Sequence, residues 1–219
     1  MRAVPDVDRE KRAAAEAAAE LVPDGARVGL GTGSTVAYLL PALAARSLLL
    51  RCVATSVETE RRARELGLPV EPFTALDRLD VAIDGADQVT PDGWLVKGGG
   101  GAHVREKVVA AAAERFVVIV SSDKLCDALA PPVPLEILAF GATSTFRRLP
   151  DARVRAGAPP SPDGGVIADW YGGLDDPRAV SAALSAPPGV IDHGLFPPEM
   201  VSDVLVGRAD QVEHRRLRD

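Results

Sequence analysis

The apolar positions fall in short runs separated by segments of helical periodicity. Residues 8–22 are alanine-rich with interspersed Glu and Arg, a composition of high helix propensity, and Pro23, Asp24 and Gly25 end the segment. Residues 28–30 read as a short buried strand, followed by the loop GTGST and a helix predicted to start at Ser34 or Thr35, both good N-cap types. Residues 48–54 form a second apolar strand, and VETERRARELG is an amphipathic helix closed by Gly67. A third strand covers 79–83 and runs into Asp84-Gly85-Ala86-Asp87. Residues 94–96 then lead to Lys97 and to Gly98, Gly99, Gly100 and Gly101. A helix over 102–115 and a strand over 116–120 follow, with Lys124 just beyond. Strand and helix alternate, which predicts a parallel sheet covered on both faces.

From Cys126 the texture changes. Prolines crowd APPVPLEILAFG and GAPPSPDGG, and the pattern becomes shorter and richer in strands: ARVRAG, GVIADW, a helix in DPRAVSAALSA, then GVIDHGLF. This predicts a small α+β domain, with VSDVLVG returning as a strand to the first. The fold class is therefore α/β, with a first domain over 1–126 plus 200–219 and a second over 127–199.

Composition narrows the chemistry. A net charge of −6 and a pI of about 5.2 disfavour a nucleic-acid partner. The C-terminal HRRLR is the one basic cluster, and it reads as a solvated tail. No apolar run reaches the roughly 20 residues that span a bilayer, so no membrane partner is expected. The first 20 residues are too charged for a signal peptide, which makes a cytoplasmic location the expectation. Cys52 and Cys126 form neither a disulfide framework nor a zinc motif, and His103, His193 and His214 lack metal-ligand spacing. A general base is therefore expected among the carboxylates. Of 25 basic residues only Lys11, Lys97, Lys107 and Lys124 are lysines, so arginine serves as the everyday surface cation. The lysines are expected where a compact ammonium is needed.

Several stretches could carry chemistry. A strand, a glycine loop and a helix N-terminus form an anion site, with free N–H groups and the positive end of the dipole. The loop is neither a Walker A sequence nor the dinucleotide fingerprint, and by itself could be a plain tight turn. Asp84 and Asp87 at the end of a buried strand are costly unless they hold hydroxyls or a cation. The four glycines suggest a nest of N–H groups for an oxyanion. Glu106, on the following helix, is either an acid favoured by the dipole or a base beside that nest. The GTGST loop, Thr55-Ser56, the DGAD segment and Lys124 each follow a predicted strand. They should meet on the carboxyl edge of the sheet, where such folds bind ligands.

In order along nearly the whole chain, VGLGTGST, ATSVET, DGAD, LVKGGGGA with REK, the lysine of SSDK, PLEI and PGVIDHGLF closely resemble the type A ribose-5-phosphate isomerases. The resemblance implies a Rossmann-like domain with a smaller ferredoxin-like α+β domain that helps close the site. It implies a homodimer or homotetramer, a sugar phosphate substrate, and no metal or organic cofactor. The implied reaction interconverts ribose 5-phosphate and ribulose 5-phosphate in the pentose phosphate pathway. Carried over by motif, Thr32, Gly33, Ser34 and Thr35 bind substrate, as do Asp84, Gly85, Ala86, Asp87, Lys97, Gly98, Gly99 and Gly100. Glu106 corresponds to the proton acceptor, with Asp84 and Lys97 as further catalytic groups. Lys124 contacts substrate, and Lys11 matches a lysine near the phosphate. The chain departs from the family at Gln88, where Glu is usual, and at His103, where an apolar residue is usual. It also has SPDGG in place of an Asn-Gly-Asn turn and a short segment between Lys124 and PLEI. Two other readings compete: a sugar-phosphate-sensing regulatory module, which would keep the phosphate loop but could lose the acid–base set, and a nucleotide-binding Rossmann enzyme, against which the glycine spacing argues.

Overall fold

The computed structural model describes residues 6–208 and 211–218. Helix α1 (Val7–Glu20) starts at Asp6, whose carboxylate accepts from the Arg9 N–H, and buries an alanine face. Strand β1 (Arg27–Leu30) leads through the GTGST loop into α2 (Val36–Ala45). Strand β2 (Arg51–Ala54) precedes α3 (Val57–Glu65), which Ser56 caps by accepting from the Thr59 N–H. β3 (Leu79–Asp84) is followed by two short strands, β4 (Gln88–Val89) and β5 (Leu95–Val96). Helix α4 (His103–Ala112) then runs without a break into β6 (Ala113–Ser121). Here the structure corrects the predicted helix over 102–115. Ala113 and Arg115 pair with Leu79 and Val81 of β3, and the added sheet bonds take these residues out of the helix.

The second half holds β7 (Val133–Ile137), α5 (Ala142–Phe146), β8 (Ala152–Val154), β9 (Val166–Trp170) and α6 (Pro177–Ser185). It continues through β10 (Val190–His193), β11 (Leu195–Phe196), β12 (Asp203–Gly207) and β13 (Val212–Arg216). Strand β13 corrects the reading of HRRLR as a tail, because His214, Arg215 and Arg216 pair antiparallel with Leu205, Val204 and Asp203 of β12.

The chain divides into two compact units. The first takes in residues up to Ala86, Arg105–Leu125 and Glu199 onward; the second takes in Asp87–Val104 and Cys126–Pro198. In the first, one six-stranded sheet has the order β13-β12-β6-β3-β1-β2 and is parallel except for β13. The chain leaves β1 toward β2 and leaves β3 the other way toward β6, so β1 and β3 flank the switch point at which open α/β sheets form a crevice. The core buries Val28, Leu30, Val81, Ile83, Val117 and Ile119 of the sheet against the alanines of α1 and the leucines of α2.

The second unit contains a four-stranded antiparallel sheet, β10-β7-β9-β8, and a three-stranded sheet, β11-β5-β4. Its central strand, β7, contains Pro134, which would ordinarily argue against a central position. The β10 register ends at Leu135, and the Pro134 carbonyl faces the same side, where the Gly194 N–H bonds it at 2.7 Å. The missing N–H thus falls just past the ladder. No described helix is long and apolar enough to cross a membrane.

Candidate active site

In the first unit the predicted loops do gather on the carboxyl edge of the parallel sheet. The Gly31 N–H donates to the Ile83 carbonyl at 2.9 Å, tying the β1 loop to the end of β3. One residue on, the Thr32 N–H donates to Asp84 Oδ1 at 3.0 Å, and the Gly85 N–H reaches the same oxygen at 2.7 Å. Asp84 is buried, so these bonds offset part of the cost of a charge out of water. Position 31 has to be glycine because an added Cβ would lie 2.0 Å from the Asp84 carboxyl carbon.

Hydroxyls line the neighbouring strand ends. The Thr32 hydroxyl lies 2.8 Å from that of Thr55, and the Thr59 hydroxyl donates to the Gly31 carbonyl at 2.9 Å. Gly33 and Ser34 are exposed and Thr35 half-buried, at the N-terminus of α2. That end carries the positive dipole that favours an anion. Thr35 stands at the N-cap but its side chain makes no capping bond, which leaves its hydroxyl for other work.

Lys124 closes a turn just past β6. Ser121 donates its hydroxyl to Asp123, and Asp123 lies 3.3 Å from the Lys124 ammonium. Burial opposes ionisation of Asp123, but Ser121 and Lys124 outweigh it and hold its carboxyl below the usual range. The turn is anchored from α1, where buried Glu10 accepts from the Ser122 N–H at 2.8 Å. Lys11 follows Glu10 on the helix, half-buried and 3.8 Å from Asp8.

Glu106 sits in the first turn of α4 and is 6 % exposed, so it does not point into bulk water. Its height follows from packing. Val109 fills the space over Gly29, where a Cβ would lie 2.4 Å from its Cγ1, and Gly29 is level with Ala82. Val109 is level with Ala82 while Ala113 is level with Leu79, so α4 descends against the direction of β3 and is antiparallel to the strands. Glu106 therefore lies about 4.5 Å nearer the carboxyl edge than Val109. Asp84 lies about 6.6 Å nearer that edge than Ala82. Residues 106 and 84 thus stand at similar heights toward the same edge.

The second unit carries the other predicted group. Lys97 follows β5 and is 3 % exposed. Its N–H donates to the Gly194 carbonyl at 2.8 Å, and its ammonium lies 5.5 Å from the centroid of the Phe196 ring. Gly194 has no room for a side chain, since a Cβ would lie 2.0 Å from the Lys97 carbonyl oxygen. The glycines form a turn in which the Gly101 N–H bonds the Gly98 carbonyl at 3.0 Å. Asp87 Oδ2 accepts from the Gly99 N–H at 2.8 Å, and the Asp87 N–H donates to the Val96 carbonyl at 2.8 Å. The Asp87 carboxylate thus braces the glycine turn. Ala86, between the two aspartates, is half-buried.

The departures from the family pattern have local reasons. The Gln88 amide accepts from the Ala130 N–H at 2.8 Å and donates to the Ala130 carbonyl at 2.7 Å, a two-way clamp that glutamate cannot make. This pins the short segment before β7. His103 is fully buried and packs against Gly98, where a Cβ would lie 2.7 Å from Nδ1. Gly165 faces Glu136, with an added Cβ 2.3 Å from Oε1, and Ser161 donates its hydroxyl to the same oxygen at 2.5 Å.

Sequence reasoning missed Thr59, Glu10, Gly194 and Phe196. Each acts through a partner remote in sequence, and a threonine or glutamate within a helix carries no local mark of such a role. GVIDHGLF carries part of the family resemblance, but nothing in it says that its second glycine, Gly194, packs on Lys97.

Comparison with known proteins fits this geometry. The profile of the family described as Ribose 5-phosphate isomerase A (phosphoriboisomerase A) matches residues 51–211. A ribose-5-phosphate isomerase A of Halobacterium salinarum is 45 % identical over 225 residues, covering 97 % of this chain and 96 % of that protein. One from Caulobacter vibrioides is 43 % identical over 220 residues, covering 94 % and 96 %. Among solved structures, ribose 5-phosphate isomerase A from Neisseria gonorrhoeae superposes with a TM-score of 0.92 at 30 % identity, over 98 % of this chain and 99 % of that one. A D-ribose-5-phosphate isomerase in complex with phospho-erythronic acid gives 0.90 at 32 % identity, over 96 % and 99 %.

Proposed function

The chain belongs to the ribose 5-phosphate isomerase A family, and from that premise we propose how its own residues interconvert ribose 5-phosphate and ribulose 5-phosphate. The protein is an aldose–ketose isomerase, and the regulatory-module alternative is not favoured. In the aldose-to-ketose direction a proton leaves C2 of the open-chain sugar and returns to C1, while a hydroxyl proton moves between O2 and O1. Glu106 takes the carbon-bound proton and gives it back on the same face, through a cis-enediolate. Asp84 handles the hydroxyl protons. Lys97 and the N–H groups of the glycine turn hold the enediolate oxygen, where charge develops. Asp87 shapes that turn. Gly33, Ser34 and Thr35 bind the phosphate at the α2 N-terminus, with Lys11 and Lys124 as its cations. Thr32, Gly85, Ala86, Gly98, Gly99 and Gly100 complete the substrate contacts. The enzyme works as a cytoplasmic homodimer or homotetramer.

The observation that most supports this reading is the shared height of Glu106 and Asp84 on the carboxyl edge, with Glu106 shielded from bulk water. The test is a coupled assay on ribose 5-phosphate with EDTA present. Wild-type protein should turn over, and Glu106→Gln should lose about 10²–10⁴ in rate while keeping its far-UV spectrum and melting temperature. Near-normal turnover by folded Glu106→Gln would remove the base from the mechanism. Phospho-erythronic acid, the ligand of one solved relative, should compete with substrate.

A further inference from the structure

A run of four glycines has no side chains with which to hold its own peptides, and glycine is the residue with most backbone freedom to lose. Something outside the run must fix which way those N–H groups point. In the second unit Asp87 is one such partner and the other is Arg155, just past β8. Its Nη1 donates to the Gly98 carbonyl at 3.0 Å and to the Gly99 carbonyl at 2.9 Å. The rest of the guanidinium is clamped, with Nε and Nη2 donating to the two oxygens of Asp169 at 2.8 and 2.5 Å. Asp169 lies on β9 and is buried, and the Arg155 N–H is bonded to the Ile167 carbonyl at 3.0 Å. A bidentate pair of this kind fixes orientation as well as charge.

Peptide planarity turns that clamp into a statement about the donors. The C=O and N–H of one trans peptide point in opposite directions. Drawing the Gly98 carbonyl to Arg155 turns the Gly99 N–H away from it, and there Asp87 Oδ2 accepts at 2.8 Å. Drawing the Gly99 carbonyl to Arg155 likewise turns the Gly100 N–H away. Gly100 is exposed, and a Cβ placed on it would meet nothing within 4 Å. One side of the turn is thus carbonyls held by a guanidinium, and the other is N–H groups, one of them given to Asp87.

We propose that Arg155, locked by Asp169, is a positioning residue for the isomerisation, setting the peptide planes of the glycine turn so that the Gly100 N–H is a fixed donor to the enediolate oxygen. This rests on the reading above that the glycine turn holds that oxygen. Lysine cannot take over the role, because a single ammonium has no planar fork to bridge two carbonyls and a carboxylate together.

Steady-state kinetics on ribose 5-phosphate with the full-length protein test the inference. Loss of one oxyanion donor costs about 10²–10³ in turnover, and a donor misaimed but present should cost less, so Arg155→Ala should lose about 10–100-fold in kcat with little change in KM. Millimolar guanidinium, far below denaturing concentrations, should restore part of that kcat without moving the melting temperature. Arg155→Lys should remain impaired in kcat. A purely structural role would instead lower the melting temperature, leave kcat per folded molecule unchanged and show no rescue. Wild-type kcat in folded Arg155→Ala or Arg155→Lys overturns the proposal. If the alanine variant does not fold, the lysine variant decides alone: reduced kcat at unchanged KM supports the proposal, and wild-type kinetics overturn it. Wild-type protein without activity on ribose 5-phosphate would refute the isomerase reading itself. Normal Arg155 variants beside a dead Glu106→Gln would refute only this inference.

Discussion

At the scale of single residues, the carboxyl edge is built by contacts that leave no space. Gly31 is the clearest case. A methyl group there would meet the Asp84 carboxylate at 2.0 Å, and the carboxylate is held by two N–H groups. Gly31→Ala should therefore displace Asp84 more than it unfolds the protein. The expected outcome is a loss of kcat of at least tenfold with an overpacking cost of about 1–3 kcal/mol by chemical denaturation. Turnover at the wild-type level in that variant would mean Asp84 has no part in proton transfer. Cys52 illustrates the opposite kind of residue. It is buried in the core, and burial, with a smaller contribution from Glu71, pushes its thiol up to about 12. A disulfide reagent at pH 8 should leave Cys52 untouched until denaturant is added, as a thiol count by absorbance would show. The roles of such residues were legible unequally. Asp84 stood out because it follows an apolar run, whereas Gly31 was one glycine of a loop, and only the packed carboxylate shows why it must be glycine.

At the scale of elements, the C-terminal hairpin is the piece that local pattern failed to reveal. VEHRR has no apolar alternation, so β13 is held by pairing with β12 and by Asp203. Asp203 is 2 % exposed and takes Arg115 through both oxygens, at 2.6 and 2.9 Å, with His214 Nε2 at 2.6 Å. Burial works against its ionisation, but Arg115 and His214 outweigh that and hold its carboxyl below the usual range. A carboxylate depressed in the folded state stabilises above its unfolded pKa, near 3.9, and that stability is lost as pH falls through the lower folded value. Asp203→Ala should cost about 3 kcal/mol at neutral pH, since Arg115 and His214 would keep some contact with water. Urea titrations should show the gap between wild type and variant closing as pH falls below about 4. A gap as wide at pH 3 as at pH 7 would mean the pair does not hold the hairpin. The same competition between local and sheet-level forces explains residues 113–115, helical by propensity but drawn into β6 by β3.

At the scale of the whole molecule, charge is distributed by type as well as by sign. Arginine supplies the surface ion pairs, such as Arg61 with Glu58 and Glu65, and Arg51 with Glu71. Lys97 is buried, and Lys11 and Lys124 each lie beside an aspartate. Limited acetylation of amines should therefore inactivate the enzyme after very few additions. Mass spectrometry should show inactivation following modification of Lys11 and Lys124, and ribose 5-phosphate should slow both. Full activity with both lysines acetylated would take them out of phosphate binding.

The sequence by itself determined the alternation of strands and helices, the glycine loop ahead of α2, the acidic end of β3, and the family, because each is written in neighbouring residues. It could not determine the assignment of residues 87–104 to the second unit, the central position of β7 despite Pro134, or the existence of β13, since these rest on pairings between remote strands. The supports of the reacting groups belong to that second class. Glu10 under Ser122, Val109 over Gly29 and Arg155 on the glycine carbonyls are each separated from their partner by 50 residues or more. A short-range pattern carries the backbone's preferences, but the direction of a peptide plane or a carboxylate is set by whatever the folded chain brings against it.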